Sequence, residues 1–500
     1  MFEISEQEVI GRLKFDNPWW ESTASDEIPY ASLPRRKYFE PFLRAVEERS
    51  VRRAVVLMGP RRVGKTVMIY HAIRALLASG VANDQILYLS LETPLYTGLR
   101  LEKLLDMFRA TRGHGVRQSL YVFFDEVQYL KDWEIHLKSL VDSYPAIKFV
   151  VSGSAAAALR MKSNESGAGR FSNFVLPPLT FAEYLQFKGL EDELIFKEEG
   201  DIPAYGCRAI DQLNKEFACY LNSGGYPEVV FSRVIQSDPG QYIKSDIIDK
   251  VLLRDLPSLY GISDIQELNR LFTVLAYNTG NEVSLEGLAK SSGVAKNTIK
   301  RYLEYLEAAF LIRRIERIDQ NARRFKRAMF FKVYLTSPSM RAALFGQVDE
   351  ASDAMGDLTE TAIFSQWQHS DRAELYYARW SSGEIDIVSL DGARQSPTWM
   401  VEVKWSDRPY QDRSLLRNCV EFARMHPEMH RPLFVTTKTI SATATYQDIA
   451  FRFQPSSLYA YTLGANILQY KNVNKLEIAN PVLSDDIADD SGDDGEGDEA

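Results

Sequence analysis

The stretch Gly59-Pro60-Arg61-Arg62-Val63-Gly64-Lys65-Thr66 decides the reading of this chain. Its spacing is G-x-x-x-x-G-K-T, and its flanks suit it. The apolar run Ala54-Val55-Val56-Leu57-Met58 enters as a buried strand would. Apolar residues at Met68, Ile69, Ala72, Ile73, Leu76 and Leu77 predict a helix from Thr66 to Leu77. Gly59 and Gly64 allow the backbone to curl so that its N–H groups face a phosphate, and the helix N-terminus adds positive potential. Lys65 is placed to reach the β- and γ-phosphates and the Thr66 hydroxyl to hold Mg²⁺. The expected ligand of residues 59–66 is ATP.

Hydrolysis needs a second strand with an acidic end. Ser119-Leu-Tyr-Val-Phe-Phe-Asp125-Glu126 supplies it: Asp125 is expected to hold Mg²⁺ through water, and Glu126 to orient and deprotonate the attacking water. The strand Ile147-Lys-Phe-Val-Val-Ser152-Gly-Ser154 ends in polar groups at the same sheet edge, so Ser152 or Ser154 is a candidate γ-phosphate sensor. With Ile86–Glu92 and Asn173-Phe-Val-Leu these runs predict a five-stranded parallel sheet between helices, an α/β fold that binds ligand at its carboxyl edge. Candidates for a transition-state arginine are Arg170, in Gly169-Arg170-Phe171, and the loop's own Arg61 and Arg62.

The apolar fraction of 45% and charged fraction of 25% are those of a globular protein, and 500 residues imply two to four domains. The net charge of −9 resides in the tail: Ser484 to Ala500 holds nine acidic side chains and no basic ones, leaving 59 against 59 elsewhere. Such a tail is expected to be disordered, either solubilising or competing with nucleic acid for a basic groove. Cys207, Cys219 and Cys419 form no spaced cluster and the six histidines no metal-ligand pattern. With no signal-peptide pattern and no eighteen-residue apolar run, a cytoplasmic protein that engages no membrane is expected.

Several segments then occur in order: the phosphate loop, Phe-Asp-Glu-Val-Gln-Tyr with Trp133 after it, Val-Ser-Gly-Ser, Gly-Arg-Phe, Leu-Pro-Pro-Leu-Thr-Phe-Ala-Glu-Tyr-Leu and Gly224-Gly225-Tyr226-Pro227-Glu228. From about Pro34 to about residue 440 the chain resembles the AAA-type prokaryotic ATPases that carry an uncharacterised C-terminal domain of restriction-endonuclease type. The resemblance implies ATP binding and leaves the biological role open.

Thr180 to Leu275 is helical in pattern, as a lid or linker is. Val283 to Leu306 reads as helix, Gly293 turn and helix, with Ile299, Leu303, Leu306 and Phe310 facing a core and Lys296, Asn297, Lys300 and Arg301 exposed. Two alternating strands, Leu311–Ile318 and Met329–Leu335, flank the basic turn Asn321-Ala-Arg323-Arg324-Phe-Lys326-Arg327, completing a predicted winged helix. Such a module serves either as a DNA contact or as a connector.

Glu360 lies on a predicted helix, Leu358–Gln368, on one face with Ile363, Phe364 and Trp367, where a carboxylate needs a partner. Asp386 falls on the strand Glu384–Leu390. In Thr398-Trp-Met-Val-Glu402-Val-Lys404-Trp, period two puts Glu402 and Lys404 on one face. A helix, Asp412–Met425, and a strand, Pro432–Lys438, follow. This order, with D…E-x-K in its central strands, resembles the PD-(D/E)XK nuclease core. The resemblance implies Mg²⁺ or Mn²⁺ held by Asp386, Glu402 and the Val403 carbonyl, with Lys404 positioning hydroxide or stabilising the phosphorane and Glu360 assisting. The alternative is an inert fold with a residual Asp386–Lys404 salt bridge.

The expected division is an ATPase core over 1–180, a helical lid or linker over 181–275, a winged helix over 276–345, a nuclease-like α/β domain over 346–480 and an acidic tail over 481–500. Two functions suit it: an ATPase on DNA whose nucleotide state controls a Mg²⁺-dependent nuclease-like domain, or an ATP-dependent switch whose C-terminal domain only binds DNA or protein. A motor or clamp loader requires a homo-oligomeric ring and arginine fingers.

Overall fold

Strand β1 (Ala54–Met58) runs apolar because it is buried along its whole length in the middle of a sheet. The computed structural model describes residues 5–21, 28–153, 169–198, 204–324, 330–370 and 373–472. Around β1 stand β2 (Ile86–Ser90), β3 (Leu120–Asp125), β4 (Ile147–Gly153) and β5 (Phe171–Val175), in the order β2-β3-β4-β1-β5. Every pairing is parallel, so all carboxyl ends share one edge, as expected for a ligand-binding α/β sheet. Helices Lys65–Ala78, Leu101–Arg112 and Trp133–Ser143 supply the crossovers.

A buried charge cluster fastens this sheet to the rest of the chain. Arg36 donates through Nε to one Glu183 oxygen at 2.7 Å and through Nη2 to the other at 2.8 Å. Its Nη1 donates to the carbonyl of Val63, inside the phosphate loop, at 2.9 Å, and Nη2 also reaches the Pro177 carbonyl at 3.1 Å. Glu183 in turn completes the cap of helix Phe181–Phe187, its N–H donating to the Thr180 hydroxyl at 3.0 Å. Both charges are almost wholly buried.

From Phe181 to Tyr277 the described chain is mainly helical, with the small hairpin β6 (Ile195–Lys197) and β7 (Tyr205–Cys207). Residues Ile243–Asp249 and Val251–Asp255 wind as π-helix, a wide geometry that recurs at functional sites. Helices Ile265–Tyr277, Leu285–Ser292 and Lys296–Ala308 follow, with Gly293 in the left-handed turn between the last two. Ile299, Leu303 and Leu306 are buried and Phe310 partly so, while Lys296, Asn297, Lys300 and Arg301 are exposed, as the helical spacing predicts.

The strands on either side of residue 345 form one sheet. β8 (Glu282–Ser284), β9 (Ile312–Ile318) and β10 (Phe330–Leu335) join β11 (Leu375–Arg379), β12 (Glu384–Leu390), β13 (Pro397–Glu402), β14 (Leu433–Thr437), β15 (Ala442–Tyr446) and β16 (Ile449–Pro455). The order is β15-β16-β14-β13-β12-β11-β9-β10-β8. The join is a short parallel pairing in which Tyr377 faces Arg317 and Ala378 faces Ile318. Arg317 reinforces it by donating to the Arg379 carbonyl at 3.2 and 3.0 Å, and the Tyr377 hydroxyl donates to Glu282 at 2.8 Å. Without β11, the outer edge of β9 would leave backbone groups unpaired. Sequence periodicity does not reveal this merger, nor β15, β16 and the closing helix Ser456–Asn472.

Replacing Arg36 with Met is expected to destabilise the protein by about 3–5 kcal/mol, since Glu183 would remain buried and unpaired. Arg36→Met combined with Glu183→Leu should recover much of that loss in urea unfolding. An unchanged midpoint for the single variant would remove the pair from its structural role.

Candidate functional site

At the carboxyl edge of the five-stranded sheet, the phosphate loop bends between β1 and helix Lys65–Ala78. Gly59 must be glycine: a Cβ there would stand 2.2 Å from the Leu176 carbonyl oxygen, on the segment that leaves β5. Gly64 adopts φ 93°, which a side chain would strain. Lys65 is buried and donates to the carbonyls of Gly59 at 3.1 Å and Pro60 at 2.8 Å. Burial lowers its pKa, opposed by the carboxylates of Glu126 and Asp125.

The acidic end of β3 meets the loop. Thr66 Oγ1 donates to Asp125 Oδ2 at 2.8 Å, and the Tyr88 hydroxyl donates to the same oxygen at 3.0 Å. The Ser152 hydroxyl, from neighbouring β4, donates to Asp125 Oδ1 and accepts from the Glu126 N–H at 3.2 Å. Glu126 is turned out of the strand by φ 56°, a left-handed conformation uncommon for a side-chain-bearing residue. Gln128 Nε2 donates to its carboxylate. Burial raises the Glu126 pKa, with the Lys65 ammonium pulling the other way. Residues 59–66, Asp125, Glu126 and Ser152 therefore lie together. Ser154 falls outside the described residues.

Arg170 does not join them. It precedes β5, and its carbonyl accepts from the N–H of Ala54 at the entrance of β1, so it stands at the opposite edge of the parallel sheet. There its guanidinium pairs with Asp142 at 2.8 Å. Expectation is corrected on this point because a parallel sheet sends the start and end of each strand to opposite faces of the domain. The loop's arginines are engaged nearby instead. Arg61 makes a two-pronged pair with Asp255 at 2.6 and 2.8 Å, and Arg62 contacts Glu228 and Asp246, each at 3.1 Å. Asp246 and Asp255 belong to the π-helical segment. No motif in the sequence marks them.

Residues 51–185 match the profile of a family described as the AAA domain. This segment of the chain has an AAA-type P-loop NTPase fold. Residues 214–351 match a second family, described as a domain of unknown function. An uncharacterized protein of Haemophilus influenzae is 26% identical over 295 residues, 58% of this chain and 68% of its own length. One from Mycobacterium tuberculosis is 26% identical over 404 residues, 78% of this chain and 80% of its own. Among solved structures, the replication initiator DnaA bound to AMPPCP and single-stranded DNA covers 54% of this chain and 88% of its own at 14% identity, with a TM-score of 0.28. A superposition so slight carries nothing about ligands.

A second polar cluster sits in the nine-stranded sheet. Asp386 on β12 accepts from the Val403 N–H at 2.9 Å and from Lys404 Nζ at 3.2 Å, both at Oδ2. Lys404 Nζ also meets Glu402 Oε1 at 2.8 Å. Asp386, Glu402 and Lys404 are thus brought together. However, β13 ends at Glu402, because the next two N–H groups donate to side chains, Asp386 and Thr436, rather than to a neighbouring strand.

Lys332 also belongs to this cluster, although no motif marks it. From β10 its ammonium reaches Glu360 at 2.9 Å, Glu384 at 2.8 Å and Asp386 Oδ1 at 3.7 Å, and the Tyr334 hydroxyl donates to the same Glu360 oxygen. A lysine within Phe-Phe-Lys-Val-Tyr-Leu was a legible sign, since such a strand buries its side chains. Burial pushes Glu360 and Glu402 each up to about 7, the neighbouring Asp386 carboxylate adding to it. For Asp386 burial acts upward, but the Lys404 and Lys332 ammoniums outweigh it and hold the group below its usual range. Burial also opposes the charge on Lys332, and Tyr334 with the carboxylates of Glu360, Asp386 and Glu384 more than restores it.

The carboxylates expected to hold a metal are engaged by ammonium groups in this arrangement. Lys404 engages Asp386 and Glu402, and Glu360 accepts from Lys332 and from the Tyr334 hydroxyl. Among the described residues no helix is long and apolar enough to cross a membrane.

Because burial lifts the Glu126 pKa, the acid limb of kcat/KM for ATP turnover should lie above the ordinary carboxylate range, activity falling as pH drops through it. A limb within the ordinary range would remove Glu126 as the titrating group.

Proposed function

We propose that the chain is an ATP-hydrolysing switch of the AAA type acting on DNA, in which nucleotide at the phosphate loop resets the grip of Arg61 and Arg62 on the π-helical segment. Support comes chiefly from the two-pronged Arg61–Asp255 pair. A phosphate arriving in the loop competes with Asp255, Glu228 and Asp246 for two guanidiniums, and arginine accepts phosphate and carboxylate in the same geometry. Lys65 neutralises the terminal phosphates, Glu126 takes the proton of the attacking water, and Ser152 with the Glu126 N–H fixes the carboxylate pair. Thr66 and Asp125, a hydroxyl beside a carboxylate, form a hard oxygen set that would hold Mg²⁺, which supplies charge neutralisation at the phosphates when bound.

Residues 276–345 are read as a winged helix that contacts DNA through the exposed Lys296, Asn297, Lys300 and Arg301. In the turn after β9, Arg324 is engaged within the chain. Arg324 is drawn to Glu374 at 2.8 Å and lies over the Tyr376 ring, while Lys326 and Arg327 lie outside the described residues. Residues 346–480 are read as a restriction-endonuclease-like α/β domain, moved as the effector of the switch. A second reading, active cleavage, draws on the convergence of Asp386, Glu402 and Lys404.

Lys65→Ala should abolish ATP binding in a fluorescent-nucleotide titration, and Glu126→Gln should keep binding while turnover drops by roughly two to four orders of magnitude. Retained affinity in the first, or unchanged turnover in the second, would remove that residue from its role. Hydrogen exchange over residues 243–256 should change when a non-hydrolysable ATP analogue binds, and Asp255→Asn should abolish the change while the analogue still binds. No change in the wild type defeats the switch.

Lys300→Glu with Arg301→Glu should weaken duplex DNA binding and reduce its salt slope by roughly two. Equal affinity would leave this module a connector. Cutting of linear or branched DNA with Mg²⁺ or Mn²⁺, lost in Asp386→Ala and Lys404→Ala, would instead establish the second reading.

A further inference from the structure

Lys332 is nearly inaccessible, 4% exposed, yet carries a charge into a nest of carboxylates contributed by other parts of the chain. It stands on β10, in the strand module that precedes residue 345. Glu360 comes from helix Met355–Trp367, and Glu384 and Asp386 come from β12. Period two along β10 places Lys332 and Tyr334 on one face, and both reach the same Glu360 oxygen. Tyr377, on β11 between them and β12, offers its ring 5.4 Å from the ammonium. On the far side Lys404 bridges Asp386 and Glu402. The oxygens are therefore shared out: Asp386 Oδ1 faces Lys332, Asp386 Oδ2 serves Lys404 and the Val403 N–H, and Glu402 Oε1 serves Lys404. Of the four carboxylates, Glu402 Oε2 is the buried oxygen without a hydrogen-bond partner.

We propose that Lys332 is the resident cation of this cluster: its ammonium, together with that of Lys404, engages the carboxylates that the nuclease resemblance turns toward a divalent metal, and the cluster binds no Mg²⁺ or Mn²⁺ while β10 is paired in the sheet. Two facts carry it. A small hard cation requires several oxygens at short range, and here Glu360 Oε1 and both Asp386 oxygens already face ammonium groups. A divalent ion placed among them would also face two fixed positive charges that have little water to screen them. The merged sheet gives Lys332 its position, since β10 reaches β12 only through β9 and β11. The cluster is thereby an electrostatic latch that joins the strand module to the C-terminal domain. None of this depends on nucleotide chemistry at the phosphate loop.

The test is a Mn²⁺ titration of the full chain without nucleotide, followed by the electron paramagnetic resonance signal of free Mn²⁺. Wild type and Lys332→Arg should show no Mn²⁺ binding that Asp386→Asn removes. Lys332→Met should bind Mn²⁺ at least roughly tenfold more tightly than the wild type, and adding Asp386→Asn should abolish the gain. Should Lys332→Met fail to fold, as judged by circular dichroism, Lys332→Met with Glu360→Gln removes the cation and one partner charge together and is held to the same expectation. Mn²⁺ binding by the wild type that Asp386→Asn removes, or no gain in a folded variant lacking Lys332, would overturn the proposal.

Discussion

Arg36 holds the molecule at the point where its halves meet. Its guanidinium satisfies Glu183, a carbonyl of the phosphate loop and a carbonyl of the segment leaving β5, all out of water. A charge in that position is tolerable only because its donors are spent on ideal acceptors, two on a carboxylate that would itself be uncompensated alone. The consequence is geometric. The loop's backbone, the close pass of Leu176 against Gly59, and the cap of helix Phe181–Phe187 are referred to one rigid group.

From that helix the coupling continues by polar contacts into the C-terminal domain. The Phe181 N–H donates to Gln366 at 3.0 Å, and Gln366 donates to the Tyr220 hydroxyl at 3.0 Å. Tyr38, two residues beyond Arg36, shares a hydrogen bond with His369 at 2.6 Å. On the opposite flank, Arg61 and Arg62 tie the loop to the π-helical segment, whose apolar residues Ile247, Ile248 and Leu252 are buried in the same core as the β1 sheet. The loop is thus held from two sides: by a buried pair that cannot exchange with solvent, and by partly exposed pairs that can exchange with phosphate. That contrast in burial is the physical basis for reading one as a fixed mount and the other as the moving part.

The C-terminal cluster follows the same electrostatics with a different outcome. Four carboxylates crowd together, and two lysines from different strands make the crowding tolerable. Lys404 was visible from its spacing to Glu402. Lys332 lies 72 residues before it in the chain, and only the pairing of β9 with β11 brings it alongside β12.

What the sequence determined by itself is what rests on short-range pattern. The phosphate loop, the strand ending in Asp125 and Glu126, the five-stranded parallel sheet and the Gly293 turn between helices depend on local spacing, hydrophobic period and backbone permissiveness. Asp386, Glu402 and Lys404 were also legible, because two of them lie on adjoining strands and the third two residues on. Arg170 was misplaced although the parallel order was legible: it precedes β5 and so meets the edge where the strands begin. Arg36 with Glu183, Arg61 with Asp255 and Lys332 with Glu360 were left to the tertiary structure. Each joins residues far apart in the chain, and a charged side chain reveals its partner only once folding has removed the water that would otherwise screen it.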